Sequence, residues 1–212
     1  MGHIVTVLLQ KQFLEYSYHG DITKGDGEYW ARKGAGRARV SPHPAFVVDL
    51  FVTHTCAVGN GYTNAYYREH QVQELVGWVN ASNADFVILG GDFNTDPMDK
   101  ETSYSNLKKL MISSMEEYFL DIKQWLIPKR ATYGNPRNNY SHMYGPVLYD
   151  YIWHKAKGWN MIWTNIFDVP WLRCIKNVLD PESGNVTKEE KVNLSDHEAV
   201  TSHLLLWKSI FT

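Results

Sequence analysis

The sequence predicts an α/β fold through two short apolar runs and a helical period between them. The runs at 45–52 and 85–89 are rich in β-branched and aromatic residues, as is typical of strands buried on both faces. Between them, apolar residues recur at intervals of three and four, which indicates the buried stripe of an amphipathic helix. Alternating strands and helices are typical of α/β domains. The stripe consists of Val72, Leu75, Val76 and Val79.

Polar residues follow both predicted strands. Thr53 and His54 stand at the exit of the first, and Gly90 and Gly91 are expected to break the second, which places Asp92 on the loop after it. Sheets of α/β proteins carry their chemistry at such strand ends. These residues are therefore candidates for a functional site.

The rest of the chain continues the alternation. A helix is predicted at 103–118, and strands are predicted at 149–153 and about 200–207. The many Asn, Gly and Pro residues between 128 and 146 indicate a long surface loop, and the polar stretch 179–193 indicates another. No internal repeat and no long linker interrupts the sequence, so residues 1–212 are expected to form a single domain.

Composition and charge narrow the class of protein. Hydrophobic residues make up 44% and aromatic residues 14% of the chain, which is typical of a globular protein. The net charge of -2 lacks the positive excess of proteins that bind nucleic acid along its length, so nucleic acid is not expected as a partner. Cys56 and Cys174 are too few for a disulfide scaffold or a cysteine zinc cluster.

Taken singly, each candidate residue has an ordinary structural explanation. His54 could be a hydrogen-bonded residue at a strand end, and Asp92 and Asn94 could build a turn with their own backbone. Asp196, after a serine, could belong to a turn or a helix cap. What favours chemistry is the occurrence of all these residues beside predicted buried strands.

Three motifs occur in a fixed order along the chain: Gly-Asp-Phe-Asn at 91–94, Tyr-Asp-Tyr-Ile at 149–152 and Ser-Asp-His at 195–197. In this combination the sequence resembles the endonuclease/exonuclease/phosphatase superfamily, whose members cleave phosphate esters with a divalent metal. The resemblance implies a four-layer α/β sandwich, in which two sheets pack face to face with helices outside.

Within that superfamily the sequence resembles the neutral sphingomyelinases, especially those of invertebrates. The resemblance runs from about His19 to Trp207. It implies a magnesium-dependent phosphodiesterase that hydrolyses sphingomyelin to ceramide and phosphocholine at a membrane surface. Separately from the resemblance, a location in the cytoplasm or peripheral to a membrane is expected rather than secretion. The motifs are Lys-Gly-Ala-Gly (33–36), Thr-His-Thr-Cys-Ala (53–57), Gly-Gly-Asp-Phe-Asn-Thr-Asp-Pro (90–97) and Leu-Ser-Asp-His-Glu-Ala-Val (194–200).

The resemblance assigns roles to the residues around the last motif. His197 matches the general base, because imidazole can take a proton from water near neutral pH. Asp150 is expected to accept a hydrogen bond from the other ring nitrogen of that histidine, which fixes its tautomer. Asp196 matches a metal ligand, and a carboxylate oxygen suits Mg²⁺.

The earlier motifs supply the remaining candidates. Asp92 and Asn94 match the pair that positions the nucleophile and the phosphoryl group, and His54 matches the histidine that donates to a phosphate oxygen in the transition state. Lys33, with Gly34 and Gly36, is similar to a phosphate-binding loop and is predicted to contact the substrate. Glycines in a turn before a strand are the alternative interpretation of that motif.

The sequence also departs from the family near its start. Members carry an Asn on the first strand and a metal-binding Glu on a following strand, and nothing before His19 matches either of them. The only acidic residue there is Glu15. The chain is therefore expected either to lack the N-terminal part of the domain or to have lost part of its metal site. Two alternatives to sphingomyelin hydrolysis stay open: a nuclease or phosphatase of the same superfamily, and a catalytically impaired fragment that binds phosphate or lipid.

Overall fold

A computed structural model of the chain divides into two compact units. The first contains Met1–Leu120, Asp150–Asn165 and His203–Thr212, and the second contains Asp121–Tyr149 and Ile166–Ser202. The residues that the structure describes are 10–15, 33–44, 46–57, 62–97, 103–117, 132–134, 140, 143, 145, 147–157, 160–168, 173–180, 183, 185–193, 195, 197 and 200–207.

The first unit is built on a six-stranded mixed sheet with the order β1-β2-β3-β4-β6-β5. β3 and β4 are parallel, and the other neighbouring strands are antiparallel. The connection between the two parallel strands contains a helix, as the alternation of apolar patterns predicted. The strands are β1 (Gln10–Glu15), β2 (Gly34–His43), β3 (Phe46–His54), β4 (Phe86–Asp92), β5 (Glu116–Glu117) and β6 (Asp150–Ala156).

Two helices of this unit, α1 (Tyr62–Ala81) and α2 (Ser103–Ser114), pack against each other. The predicted stripe of α1 is confirmed, because three of its four residues are fully buried and Val76 is half-buried. α2 ends four residues earlier than the sequence predicted, since Glu116 and Glu117 instead pair with β6 as β5. The buried apolar residues of the sheet and helices include Phe51, Val72, Leu75, Val79, Val87, Leu89, Leu107, Met111, Tyr151 and Trp153.

The first predicted strand is confirmed as β3, but its two faces differ. Phe51 is buried, whereas Val52 is 61% exposed, so the expectation of a strand covered on both faces is wrong. The register explains the exposure: Val52 pairs with Gly36 on one side and with Gly90 on the other. Because neither glycine has a side chain, Val52 has no flanking side chain from its direct partners.

The glycine pair in β4 does not break the strand, contrary to the prediction. Gly90 and Gly91 continue the ladder, pairing with Val52 and Thr53 on β3 and with residues of β6 on the other side. Asp92 is consequently the last residue of the strand and not the first residue of a loop. Glycine gives no local signal for this arrangement, because its backbone is compatible with both a strand and a turn.

An ion pair with a buried carboxylate connects neighbouring strands β2 and β3, and the same carboxylate also contacts Ser82, just after α1. The Asp49 carboxylate is fully buried and accepts hydrogen bonds from Arg39 Nε at 2.7 Å, Arg39 Nη2 at 2.8 Å and Ser82 Oγ at 2.7 Å. Burial by itself raises the pKa of Asp49, but the hydrogen bonds from Arg39 and Ser82 together hold it below its usual value. The hydrogen bond to Asp49 raises the pKa of Arg39 in turn.

The second unit contains an antiparallel hairpin of β8 (Arg173–Leu179) and β9 (Val186–Asn193). The sequence predicted a surface loop over the whole of the second strand, because that strand is largely polar. The prediction was wrong for 186–193: ladder hydrogen bonds join backbone groups, so a polar segment can form a strand when a partner is present.

A separate two-stranded sheet consists of β7 (Asn160–Asp168) and β10 (Val200–Trp207).

Neither helix in the described part of the chain combines the length and the apolar character needed to cross a membrane.

Candidate active site

Three of the predicted site residues form one row across the sheet of the first unit. His54, the last residue of β3, pairs with Asp92, the last residue of β4, and Asp92 pairs with Asp150, the first residue of β6. Directly paired residues of neighbouring strands project to the same face and lie about 5 Å apart. The sheet therefore brings together residues that are up to 96 positions apart in the sequence, from 54 to 150.

The side chains in this row are close enough to act on one ligand. His54 Nε2 lies 3.2 Å from Asp92 Oδ2, and carboxylate oxygens of Asp92 and Asp150 lie within 4.8 Å of each other. The His54 side chain is 53% exposed, whereas that of Asp92 is only 12% exposed. The row thus presents an imidazole to solvent at one end and shielded carboxylates at the other.

Lys33 extends the row beyond His54. Its Nζ lies 2.6 Å from His54 Nε2, and the same ring nitrogen lies 3.2 Å from Asp92 Oδ2. One nitrogen can accept a hydrogen from Lys33 or donate one to Asp92, but it cannot do both at once. Gly34 and Gly36 belong to β2, so the Lys-Gly-Ala-Gly segment enters a strand and does not form the predicted loop.

The turn after Asp92 is held by its own polar side chains. The Asn94 backbone N–H donates to Asp92 Oδ1 at 2.8 Å, and Asn94 has a positive φ of 49°, which Asn tolerates better than most residues. Asn94 Nδ2 donates to the Thr55 carbonyl at 3.1 Å, while the Thr55 N–H donates to the Asp92 carbonyl at 3.0 Å. The turn explanation of these two residues is correct, and it leaves the second Asp92 oxygen facing His54.

Apolar packing anchors the same turn from below. Phe93 is buried and packs edge-on against Tyr151, with ring centroids 5.9 Å apart, and against Trp153 at 6.4 Å. Tyr151 also donates its hydroxyl hydrogen to the Thr95 carbonyl at 2.7 Å. The Phe93 side chain is therefore fixed in the core, and this packing orients its two polar neighbours, Asp92 and Asn94.

Three polar residues of α1 that were not predicted as site residues hold the segment after β3. Asn64, Arg68 and Gln71 are buried and hydrogen-bond to the backbone at Cys56 and Ala57. Their spacing of four and three is the signal that could have found them, because it places all three on one face of the helix.

His197 belongs to the second unit. Its backbone N–H donates to Ser195 Oγ at 3.1 Å, and it forms a β-bridge with Tyr133. The His197 and Tyr133 rings have centroids 4.9 Å apart, and Tyr133 stacks on Tyr149 at 5.8 Å. The imidazole thus packs against an aromatic pair. Its role as a base stays a prediction, and Asp196, the predicted metal ligand, lies outside the described residues.

Asp92 and Asp150 fit a divalent cation. Two carboxylates within 4.8 Å repel each other, and a cation bound between them removes that repulsion. Mg²⁺ prefers hard oxygen ligands and is commonly held by one or two carboxylates together with substrate phosphate. Asp92 and Asp150 are therefore residues of the first unit that could hold a metal.

Three solved structures have a fold similar to that of this chain. SmcL matches with a TM-score of 0.66 and 17% identity over 92% of this chain and 65% of its own. Sphingomyelinase C from Streptomyces griseocarneus matches with a TM-score of 0.52 and 16% identity over 84% of this chain and 59% of its own. A humanized D. rerio TDP2 matches with a TM-score of 0.54 and 12% identity over 93% of this chain and 67% of its own.

These similarities concern the fold, because all three identities are low. The chain spans less than two thirds of the length of the first two structures. Comparison with curated proteins finds no match. The sequence itself matches the Endonuclease/Exonuclease/phosphatase family over residues 9–197, a range that contains every predicted site residue. The predicted fold class is confirmed, and the chain belongs to the Endonuclease/Exonuclease/phosphatase family.

Proposed function

We propose that this chain carries the active site of a magnesium-dependent phosphodiesterase that hydrolyses sphingomyelin to ceramide and phosphocholine. The observation that carries the proposal is the row of Lys33, His54, Asp92 and Asp150 at one edge of the sheet. Nitrogen-bearing side chains stand at one end of this row and carboxylates at the other. Such a row can bind a phosphate ester through its oxygens and through a metal at the same time.

The reaction adds the oxygen of water to phosphorus and breaks the bond from phosphorus to the ceramide oxygen. His197 takes one proton from the attacking water, and the departing ceramide oxygen takes up a proton. His54 donates to a phosphoryl oxygen as negative charge grows on it, and Lys33 adds positive charge beside that imidazole. The solvent-exposed position of His54 supports this role, because a phosphate can reach its ring.

The carboxylates serve the other side of the phosphate. Asp92 and Asp150 would hold magnesium, with Asp196 as the further ligand that the family resemblance implies. When bound, the ion supplies Lewis acidity that polarises the phosphoryl group. Asn94 orients Asp92, since its backbone N–H donates to Asp92 Oδ1 while Oδ2 faces His54.

Two features favour sphingomyelin over other phosphate esters. The motifs around Lys33 and His54 resemble those of neutral sphingomyelinases. The net charge of -2 disfavours a polyanionic substrate. Because sphingomyelin lies in a bilayer, we propose that the protein acts at a membrane surface, in the cytoplasm or peripheral to a membrane.

A nuclease or phosphatase is the second candidate. The fold is also similar to that of TDP2, and the row specifies phosphate chemistry without specifying the leaving group. A non-catalytic phosphate-binding or lipid-binding fragment is the third.

One set of assays separates these candidates. Phosphocholine release is measured from sphingomyelin vesicles with Mg²⁺ and with a chelator, and the same samples are incubated with plasmid DNA and with a phosphomonoester. We expect Mg²⁺-dependent phosphocholine release that is abolished in His197→Ala. Cleavage of DNA or of the monoester alone would establish the second candidate, and vesicle binding without turnover would establish the third. Full activity in His197→Ala would refute the assignment of the base.

A further inference from the structure

We propose that Arg68 of α1 is a positioning residue of this site, an inference that rests on the function proposed above. Its side chain is only 1% exposed, and its Nη1 donates to the carbonyl oxygens of Cys56 at 3.3 Å and Ala57 at 3.0 Å. These carbonyls lie just beyond His54, the last residue of β3. The guanidinium therefore holds the chain at the point where it leaves the candidate active site.

Two neighbours of Arg68 act on the same segment. Asn64 Nδ2 donates to the Ala57 carbonyl at 3.0 Å, and Gln71 Oε1 accepts from the Cys56 N–H at 2.8 Å. Residues spaced by four and by three lie on one face of a helix. α1 thus presents a buried polar face to one short backbone segment, beside the apolar stripe that it presents to the core.

The segment held by α1 is joined directly to the metal-binding turn. Thr55, which precedes Cys56, donates its N–H to the Asp92 carbonyl at 3.0 Å and accepts from Asn94 Nδ2 at 3.1 Å. A displacement of residues 55–57 would therefore move Asp92 and Asn94, which lie at the end of β4. The hydrogen bonds run from Arg68 through the backbone at Cys56 to Thr55, and from Thr55 to Asp92 and Asn94.

A purely stabilising role does not account for an arginine at this position. Burying a guanidinium is costly, and a well-packed apolar residue in place of a buried charge is often as stable or more stable. The adjacent buried residues Val72 and Leu75 show that this helix uses apolar packing elsewhere. What arginine offers is a rigid set of donors that can serve two carbonyls from one side chain.

The test compares amide hydrogen exchange at Thr55 and Asn94, measured by NMR, in the wild type and in three variants. Arg68→Met keeps the length of the side chain and removes its donors, and Arg68→Lys keeps the charge with a single donor group. Val79→Ala removes buried volume from the same helix three turns away and serves as the matched control for lost stability. Melting curves of all four proteins give the global contribution to exchange.

After correction for global stability, we expect exchange at both amides to be about tenfold or more faster in Arg68→Met, which corresponds to ~1.4 kcal/mol of lost local protection. Arg68→Lys is expected to fall between Arg68→Met and the wild type. If Arg68→Met does not fold, the lysine variant alone decides the result. Unchanged protection in Arg68→Lys and Arg68→Met, or an equal loss in Val79→Ala, would overturn the inference.

Turnover provides a second readout. We expect kcat of Arg68→Met to fall by about tenfold or more with little change in KM, because a displaced turn weakens transition-state contacts more than substrate binding. Val79→Ala should retain kcat at temperatures well below its midpoint. A wild type without phosphoesterase activity would refute the proposed function, while the exchange data would still decide whether Arg68 positions the turn.

Discussion

Gly91 lies directly against Thr53, its partner on the neighbouring parallel strand. A Cβ atom on Gly91 would stand 2.0 Å from the Thr53 carbonyl oxygen and 2.9 Å from its carbonyl carbon. The φ of Gly91 is 143°, a backbone conformation that residues with a side chain rarely adopt. Since His54 and Asp92 immediately follow these two residues, the close approach of the strands also sets the distance between the imidazole and the carboxylate.

The first prediction concerns this glycine. Gly91→Ala should lower the free energy of unfolding by about 3 kcal/mol or more, because it combines backbone strain with a clash against backbone atoms. Gly90→Ala is the matched control, since the nearest atom to its Cβ would be 3.7 Å away and its cost should be about 1 kcal/mol or less. Urea unfolding of both variants measures the difference. Equal stabilities would show that the two strands can separate at little cost.

The second prediction concerns metal binding. Asp92→Asn and Asp150→Asn should each raise the Kd for Mg²⁺ by about 10–100-fold or more, because each removes a charged oxygen ligand. Isothermal titration calorimetry without substrate measures these constants. Glu74→Gln, on the exposed side of α1, removes the same charge away from the row and should leave the Kd unchanged. If Asp150→Asn keeps the wild-type Kd, Asp150 is not a metal ligand, and its predicted role as hydrogen-bond partner of His197 would be favoured.

The third prediction separates His54 from Lys33. His54→Ala should lower kcat by about 10²–10³-fold, the loss seen when a donor to a developing oxyanion is removed. Lys33→Met should lower kcat less, because the Nζ of Lys33 acts on the phosphate partly through its contact with His54. His70→Ala, an exposed histidine on α1, is the control and should be fully active. A larger loss in Lys33→Met than in His54→Ala would reverse the two roles.

The fourth prediction concerns acid stability. The lowered pKa of Asp49 means that the folded state favours the carboxylate, so its contribution to stability is complete above the unfolded-state pKa of about 4. The contribution is lost as the pH falls below about 4 and through the folded-state pKa. Asp49→Asn should cost about 3 kcal/mol at pH 7, because it leaves Arg39 without its charged partner.

The measurement for Asp49 is the free energy of unfolding between pH 7 and pH 3. In Asp49→Asn the stability should decline less steeply with falling pH than in the wild type. Glu74→Gln controls for the removal of an exposed carboxylate and should keep the wild-type slope. Identical slopes in wild type and Asp49→Asn would mean that Asp49 is not the carboxylate that governs acid stability.

Residues with a strong local signal were predicted correctly. The apolar runs gave β3 and most of β4, and the helical period gave three of the fully buried residues of α1. The extent of β4 was not predicted, because Gly90 and Gly91 are compatible with a turn until strands on both sides pair with them. The strand β9 was missed because its polar side chains carry no apolar period, whereas the ladder that defines it joins backbone atoms.

The candidate site shows the same division. The motifs identified Lys33, His54, Asp92, Asn94 and Asp150, but the expectation of a phosphate-binding loop at 33–36 was wrong, because Gly34 pairs with Glu15 of β1 and begins a strand. Arg68 was not predicted, since a charged residue in a helix is normally exposed, and its spacing from Asn64 and Gln71 shows a shared helix face without showing that this face is buried.

By itself, the sequence determined the alternation of strands and helix, the family, and the chemical kinds of the residues at the strand ends. Those properties depend on side chains taken one by one or at short spacings. Only the tertiary structure decided that His54, Asp92 and Asp150 share one row, that carboxylate oxygens of Asp92 and Asp150 approach within 4.8 Å, and that a buried Arg68 hydrogen-bonds to the backbone after β3. Register and burial arise from pairing between distant segments, and the physical reason is that backbone hydrogen bonds and close packing are satisfied across the whole sheet at once.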